Sequence, residues 1–134
     1  MDQSRLAAIP LFASLPEGEL QAVAAVASER TLEKGETLTD EGSFGHGLFA
    51  IEEGTADVQQ QGTTIRSVGK GDIIGEIAVL AAGRRSATVV ATTPLRLITL
   101  FKRDVWALER EAPEAARRLR ELLESRTMPP AVSG

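Results

Sequence analysis

Glu76 stands directly after Gly75, and Arg85 follows nine positions later with Ser86 beside it, in "GEIAVLAAGRRSATV". A glycine ahead of a helical turn leaves backbone N–H groups open to an anion: no side chain blocks the approach, and the first turn has no internal acceptors for them. Arg85 adds a permanently charged planar fork that matches phosphate oxygens. Ser86 adds a hydroxyl and one more N–H. Together they form a candidate phosphate cradle. Glu76 is the discordant member, because a carboxylate repels phosphate. Accepting a hydrogen bond from a sugar hydroxyl gives it compatible work, as acids do toward ribose in dinucleotide sites. Phosphate donors and a ribose acceptor in one short loop imply a ligand whose phosphate lies against its own ribose, which describes a cyclic nucleotide. The plainer alternative is an ion pair between Glu76 and Arg85, with Glu76 gaining about 0.3–1 kcal/mol from the helix dipole and no ligand at all.

The elements that must position these residues are legible in outline. "PEGELQAVAAVASE" predicts a helix over about 16–28, with Leu20, Val23, Ala24 and Ala27 on one stripe and Pro16 at its start. Before it, "RLAAIPLFASL" reads as a short helix broken by Pro10. Ten of the 12 glycines fall between residues 35 and 83, so many short strands joined by tight turns are expected, as in a sandwich, jelly roll or small barrel. Strands are expected near 36–39, 48–52, 55–60, 63–68, 85–92 and 95–101, with hairpin-like turns at "EEGT" and "QQGT". "LRLITLF" is apolar on both faces and reads as a buried strand. From residue 102 the chain turns helical again. Pro113 opens a segment whose Ala115, Leu119, Leu122 and Leu123 form one narrow stripe, and "TMPPAVSG" reads as a flexible tail.

Composition narrows the function classes. A formal net charge of −4 supplies no electrostatic footprint for nucleic acid, and 4% aromatic content leaves few stacking platforms for bases. The helical part after residue 102 is too short for a helix-turn-helix module, so direct nucleic-acid binding is not expected. No apolar run reaches the ~18 residues of a membrane span, and the N-terminus lacks the pattern of a secretory signal. The absence of cysteine excludes disulfides, zinc–cysteine sites and thiol catalysis. A lone histidine, His46, cannot by itself build a histidine metal site and reads as a solvated turn residue. No metal or other cofactor is expected, and the protein is read as a cytoplasmic non-enzyme.

The stretch resembles the phosphate-binding cassette of the cyclic nucleotide-binding domain family. Gly75-Glu76, the apolar Ile77-Ala78-Val79-Leu80, and Arg85-Ser86-Ala87-Thr88-Val89 follow its pattern in order. The resemblance extends over nearly the whole chain. "PLFASLPEGELQAV" is similar to the family's opening helices, "LEKGETLTDEG" to its first strands, "GLFAIEEGTADV" to its central hairpin, and "VGKGDIIGE" to the approach to the cassette. It departs in one place, with Ile74 where the family often has Phe.

The resemblance implies a mainly β fold with flanking helices: an eight-stranded antiparallel jelly-roll barrel, a helical N-terminus and two C-terminal helices. One domain is expected over residues 1–126, divided as 1–30 helical, 31–101 jelly roll and 102–126 C-terminal helices, with 127–134 as tail. The implied ligand set is Gly75, Glu76, Ile77, Ala78, Arg85, Ser86, Ala87 and Val89. Within it Glu76 is assigned to the ribose 2′-hydroxyl and Arg85 to the exocyclic phosphate oxygens, with Gly75, Ala78 and Ser86 as donors. The register chooses Arg85 over Arg84, which is expected to be a solvated neighbour. Val68, Ile73, Val89 and Leu97 are candidates for the apolar pocket around the base, or ordinary core. Ser86 fits bacterial cAMP-responsive regulators of the family, so cAMP is favoured and cGMP is the other candidate.

The implied function is a regulatory sensor module in signal transduction that changes conformation when it binds nucleotide. Its output partner or effector would lie on another protein or on a longer parent chain. The C-terminal helix is expected to act as a lid, with Leu122, Leu123 or Arg126 reaching the base. Its leucines would otherwise serve permanent packing on the barrel or a homodimer contact. The alternative function is an interaction or structural domain of the same fold that binds no nucleotide.

Overall fold

The computed structural model describes residues 1–75 and 83–127. Two helices, α1 (Gln3–Ala7) and α2 (Glu17–Val26), precede eight strands. The strands are β1 (Ser28–Leu32), β2 (Thr37–Thr39), β3 (Gly47–Glu53), β4 (Ala56–Gln60), β5 (Thr63–Val68), β6 (Ile73–Ile74), β7 (Thr88–Ala91) and β8 (Leu95–Phe101). Helices α3 (Lys102–Glu111) and α4 (Pro113–Thr127) follow. All strand pairings are antiparallel, in two four-stranded sheets of order β1-β8-β3-β6 and β2-β7-β4-β5. The jelly roll with flanking helices expected from the sequence is the observed architecture.

Side chains on successive strand residues point to opposite faces, and the first sheet uses both faces to build two cores. Ile98 and Leu100 of β8, Leu48 and Ala50 of β3, and Ile73 of β6 pack under the four helices. Leu95 and Leu97, Phe49 and Ile51, and Ile74 point the other way, into the space between the sheets. There they meet Val58, Val68, Val89 and Ala91 of the second sheet. Such a two-sided position explains why β8 is apolar on both faces. It also corrects one base-pocket candidate: Ile73 lies on the helix side, whereas Val68, Val89 and Leu97 line the barrel interior.

Other expectations change in instructive ways. Helix α2 ends at Val26, and Ser28–Leu32 is a strand at the edge of its sheet. Its polar residues hid it, because only Leu32 is buried. The "QQGT" turn is a true hairpin: Gln61 and Gly62 both have positive φ, the signature of a two-residue primed turn, and join the paired strands β4 and β5. The "EEGT" turn is not a hairpin. Strands β3 and β4 belong to different sheets, and Gly54, with φ of 97°, carries the chain across. A Cβ there would lie 2.2 Å from the Pro94 carbonyl oxygen, so only glycine fits. The helical turn expected at "GEIAVL" and the tail after Thr127 lie outside the described residues.

Helix α4 is firmly seated. Ala115, Ala116 and Leu119 are buried, with Ala115 and Leu119 in the helical core and Leu122 packed at its edge. A Glu19 Oε1 acceptor receives the Glu114 N–H at 2.8 Å and the Ala115 N–H at 3.1 Å, capping α4 from α2. Arg118 Nη1 donates to the carbonyls of Leu11 at 3.1 Å and Ala13 at 2.6 Å. Hydrogen bonds from Arg117, and then from Arg118, hold the Glu114 carboxyl down at about 2. The narrow stripe expected from the sequence is thus the buried face of a seated helix. Glu19→Ala should lower stability by about 1 kcal/mol, the ordinary cost of a lost N-terminal cap. Urea denaturation checks this, and Glu19→Gln, which keeps an acceptor, should recover part of the loss.

Candidate functional site

Arg85 follows the segment outside the described residues and sits in the irregular run between Gly83 and β7. That run is stitched to the loop between β2 and β3. The Arg85 N–H donates to the Ser43 carbonyl at 2.7 Å, and the Arg85 carbonyl accepts from the Gly42 N–H at 2.9 Å. The Gly45 N–H donates to the Gly83 carbonyl at 2.9 Å. Further on, Thr39 Oγ1 donates to the Ala87 carbonyl and Thr88 Oγ1 accepts from the Glu41 N–H. Backbone anchors on both sides of Arg85 fix the direction in which its side chain leaves.

The side chain runs inward and is 9% exposed. Nη2 donates to the Gly47 carbonyl at 2.8 Å, and Nη1 makes a longer contact of 3.4 Å to the Gly75 carbonyl. The guanidinium carbon lies 5.5 Å from the centroid of the Phe49 ring, within cation–π range. Arg30 lies at 5.7 Å from the same ring. A buried cation is costly unless its donors are satisfied, and the carbonyls and ring face offset that cost. Gly75 makes the seat available. Its φ is 88°, and a Cβ there would lie 2.2 Å from Arg85 Nη1. The guanidinium occupies the space of the missing side chain.

The two arginines of "GRR" thus have different environments. Arg84 is exposed, donates from Nη1 to the Gly42 carbonyl at 2.9 Å, and stacks 4.4 Å from the Phe44 ring centroid. Ser86 is exposed, with its carbonyl accepting from Gln60 Nε2, while Ala87 and Val89 belong to the barrel core. Glu76, Ile77 and Ala78 lie outside the described residues. The structure brings Gly75 and Arg85 together, places Ser86 next to them and lines the adjacent interior with Val89. His46 is exposed in its loop.

Sequence reasoning missed Gly47 and Phe49. Gly47 contributes through its carbonyl, which every residue carries, so no side-chain motif reports it. The available signal was a glycine opening a strand, which often marks close backbone approach. Arg85, Phe49, Gly47 and Thr99 also border a cavity of about 350 Å³ at the mouth between the sheets. Thr99 Oγ1 is buried there without a hydrogen-bond partner among the described residues. Those residues contain no cluster of three or more metal-ligating side chains, and no helix among them is long and apolar enough to cross a membrane.

The family described as "Cyclic nucleotide-binding domain" matches residues 29–111. The chain belongs to the cyclic nucleotide-binding domain family. It is 32% identical to a cyclic nucleotide-gated potassium channel of Rhizobium etli, over 93% of this chain and 35% of the channel. It is 37% identical to a cAMP-dependent protein kinase regulatory subunit of Eremothecium gossypii, over 72% of this chain and 21% of that protein. The crystal structure of the Thermus thermophilus catabolite activator protein superposes with a TM-score of 0.78 at 30% identity, covering 87% of this chain and 57% of that one. The chain therefore spans well under two thirds of the length of each of these relatives.

Gly75→Ala and Gly62→Ala form a matched pair that tests the Arg85 seat. Both glycines have positive φ, but a Cβ at Gly62 meets nothing within 4 Å. Each variant should lose about 1–2 kcal/mol to the left-handed backbone. Gly75→Ala should lose a further ~1–3 kcal/mol, because it also displaces a charged hydrogen-bonding group. Urea denaturation reads the difference; equal losses would mean the guanidinium is not anchored there.

Proposed function

We propose that the chain is a cyclic nucleotide-binding regulatory module, with cAMP as the favoured ligand, and that it is not an enzyme. The observation that carries this reading is the seat of Arg85: a buried, oriented guanidinium lodged in the space left by the missing side chain of Gly75. Held by carbonyls and a ring face, it can meet the exocyclic phosphate oxygens without having to be ordered first. Glu76 is assigned to the ribose 2′-hydroxyl, and the backbone of Gly75 and Ala78 together with Ser86 to further phosphate donors. Val68, Val89 and Leu97, buried in the barrel interior, are the apolar side chains assigned to the side of the base. Support also comes from the family itself and from relatives that are named as gated by cyclic nucleotide or dependent on cAMP.

Nucleotide binding is proposed to shift α4, the conformational output of the module. Such a shift requires ligand to favour one position of the helix over the other by more than the Glu19 cap and the Arg118 bonds are worth. Hydrogen exchange across residues 113–126 should change when cAMP is added. Identical protection with and without ligand would remove α4 from the output.

Isothermal titration with cAMP and cGMP separates this reading from a domain of the same fold that binds no nucleotide. Arg85→Ala should weaken cAMP binding by about 2–5 kcal/mol, the usual cost of removing one side of a desolvated charge pair. In affinity that is roughly 30-fold to several thousand-fold. Arg84→Ala should cost far less, since Arg84 is bonded on the surface; equal losses would overturn the assignment. Glu76→Ala should abolish discrimination against 2′-deoxy-cAMP, read from a cycle of two proteins and two ligands.

A further inference from the structure

The chain has five aromatic residues, four Phe and one Trp, and three of them lie on the surface. Phe44 is 63% exposed, Phe101 43% and Trp106 61%. They share one strip. A groove of about 450 Å³ is lined by His46, Phe101, Lys102, Arg103 and Trp106. His46 and Phe101 also line the neighbouring mouth cavity, and Phe44 joins them there. Clustering of exposed aromatics at this density marks an interaction surface, whereas isolated exposed apolar residues do not.

The groove also has a sign. Every described residue lining it is aromatic or basic, on a chain whose net charge is −4. Lys102 Nζ stacks 5.3 Å from the Trp106 ring centroid, and Arg84 caps the far end of the strip on Phe44. Among nearby acids on α3, Glu109 is bonded to Arg120. Asp104 lies in the first turn of the helix. The mouth cavity adds Asp40 and Glu29, the latter bonded to Arg5. Trp, Phe and Arg are the side chains that concentrate binding energy at protein interfaces.

We propose that this strip docks an acidic segment of a partner protein, which sets its carboxylates against Lys102, Arg103 and Arg84. One apolar side chain of that segment sits in the groove between Phe101 and Trp106. One feature favours a peptide over an anionic membrane. The groove is concave and receives a projecting side chain, whereas membrane docking needs projecting apolar groups on the protein. The proposal assigns no contact to Glu76 or Arg85, although one end of the strip reaches the mouth cavity that Arg85 also borders.

Trp106 is the only tryptophan, so its emission reports this groove alone. The full chain is titrated with the synthetic peptide acetyl-EDELFDEE-amide, with its amide analogue acetyl-QNQLFNQQ-amide, and with vesicles of phosphatidylcholine and phosphatidylglycerol. The acidic peptide should shift Trp106 emission with a Kd of about 10–100 μM at low salt and weaken as salt rises. Lys102→Glu combined with Arg103→Glu should cost at least about tenfold in Kd, a free-energy change of about 1.4 kcal/mol. The melting point verifies that the double variant folds; if it falls, Arg103→Gln alone is used with the same expectation. No response to the acidic peptide, an equal response to the amide analogue, or a shift caused by vesicles and not by peptide would each overturn the proposal.

Discussion

A buried guanidinium is the constraint around which this barrel is arranged. Taking the Arg85 charge out of water is unfavourable by several kcal/mol unless its donors meet oriented acceptors. Gly47 and Gly75 supply those acceptors through main-chain carbonyls, and Phe49 supplies a ring face. The carbonyls belong to β3 and to the residue just after β6, neighbours in the first sheet. The arginine rises from the run leading into β7, a strand of the second sheet. The seat therefore exists only when the two sheets are assembled, and a group suited to phosphate is tied to the closure of the jelly roll.

The rest of the fold holds that arrangement from behind. The first sheet turns one face to the site side and the other to the helices, so Phe49 lies under Arg85 while its neighbours Leu48 and Ala50 pack beneath α1–α4. A shift of the helices reaches the sheet through those alternating residues with no flexible layer in between, as expected of a close-packed interior. Helix α4 is fixed by a carboxylate ninety-five positions earlier in the chain and by Arg118 on the 11–13 turn. These polar contacts sit at the helix ends and surface, where they are individually modest, and the buried Ala115 and Leu119 supply the apolar attachment.

Much of this was legible in the residues, and the exceptions share causes. Glycine spacing announced short strands, and the two-faced apolarity of β8 announced a buried strand. Register within the cassette chose Arg85 over Arg84, and the structure gives the two different burial. Strand β1 was hidden because an edge strand with one buried residue keeps no alternation to read, and β6 because two residues carry no period. "EEGT" looked like "QQGT", yet the decision between hairpin and crossing depends on which sheet each strand joins, a long-range property. Gly47 was missed because a carbonyl is common to all residues. The Glu19 cap was missed because nothing local links it to Pro113.

The central claim is that the Arg85 guanidinium is seated before any ligand arrives. Nitrogen-15 NMR of the arginine side chains reads this directly, with the Arg85 signal assigned by its disappearance in Arg85→Lys. In the ligand-free protein Arg85 should show resolved, slowly rotating Nη groups, unlike exposed arginines such as Arg103, and those signals should move on addition of cAMP without first broadening into a mobile state. A freely rotating Arg85 without ligand, or signals that stay unchanged when cAMP binds, would contradict the account.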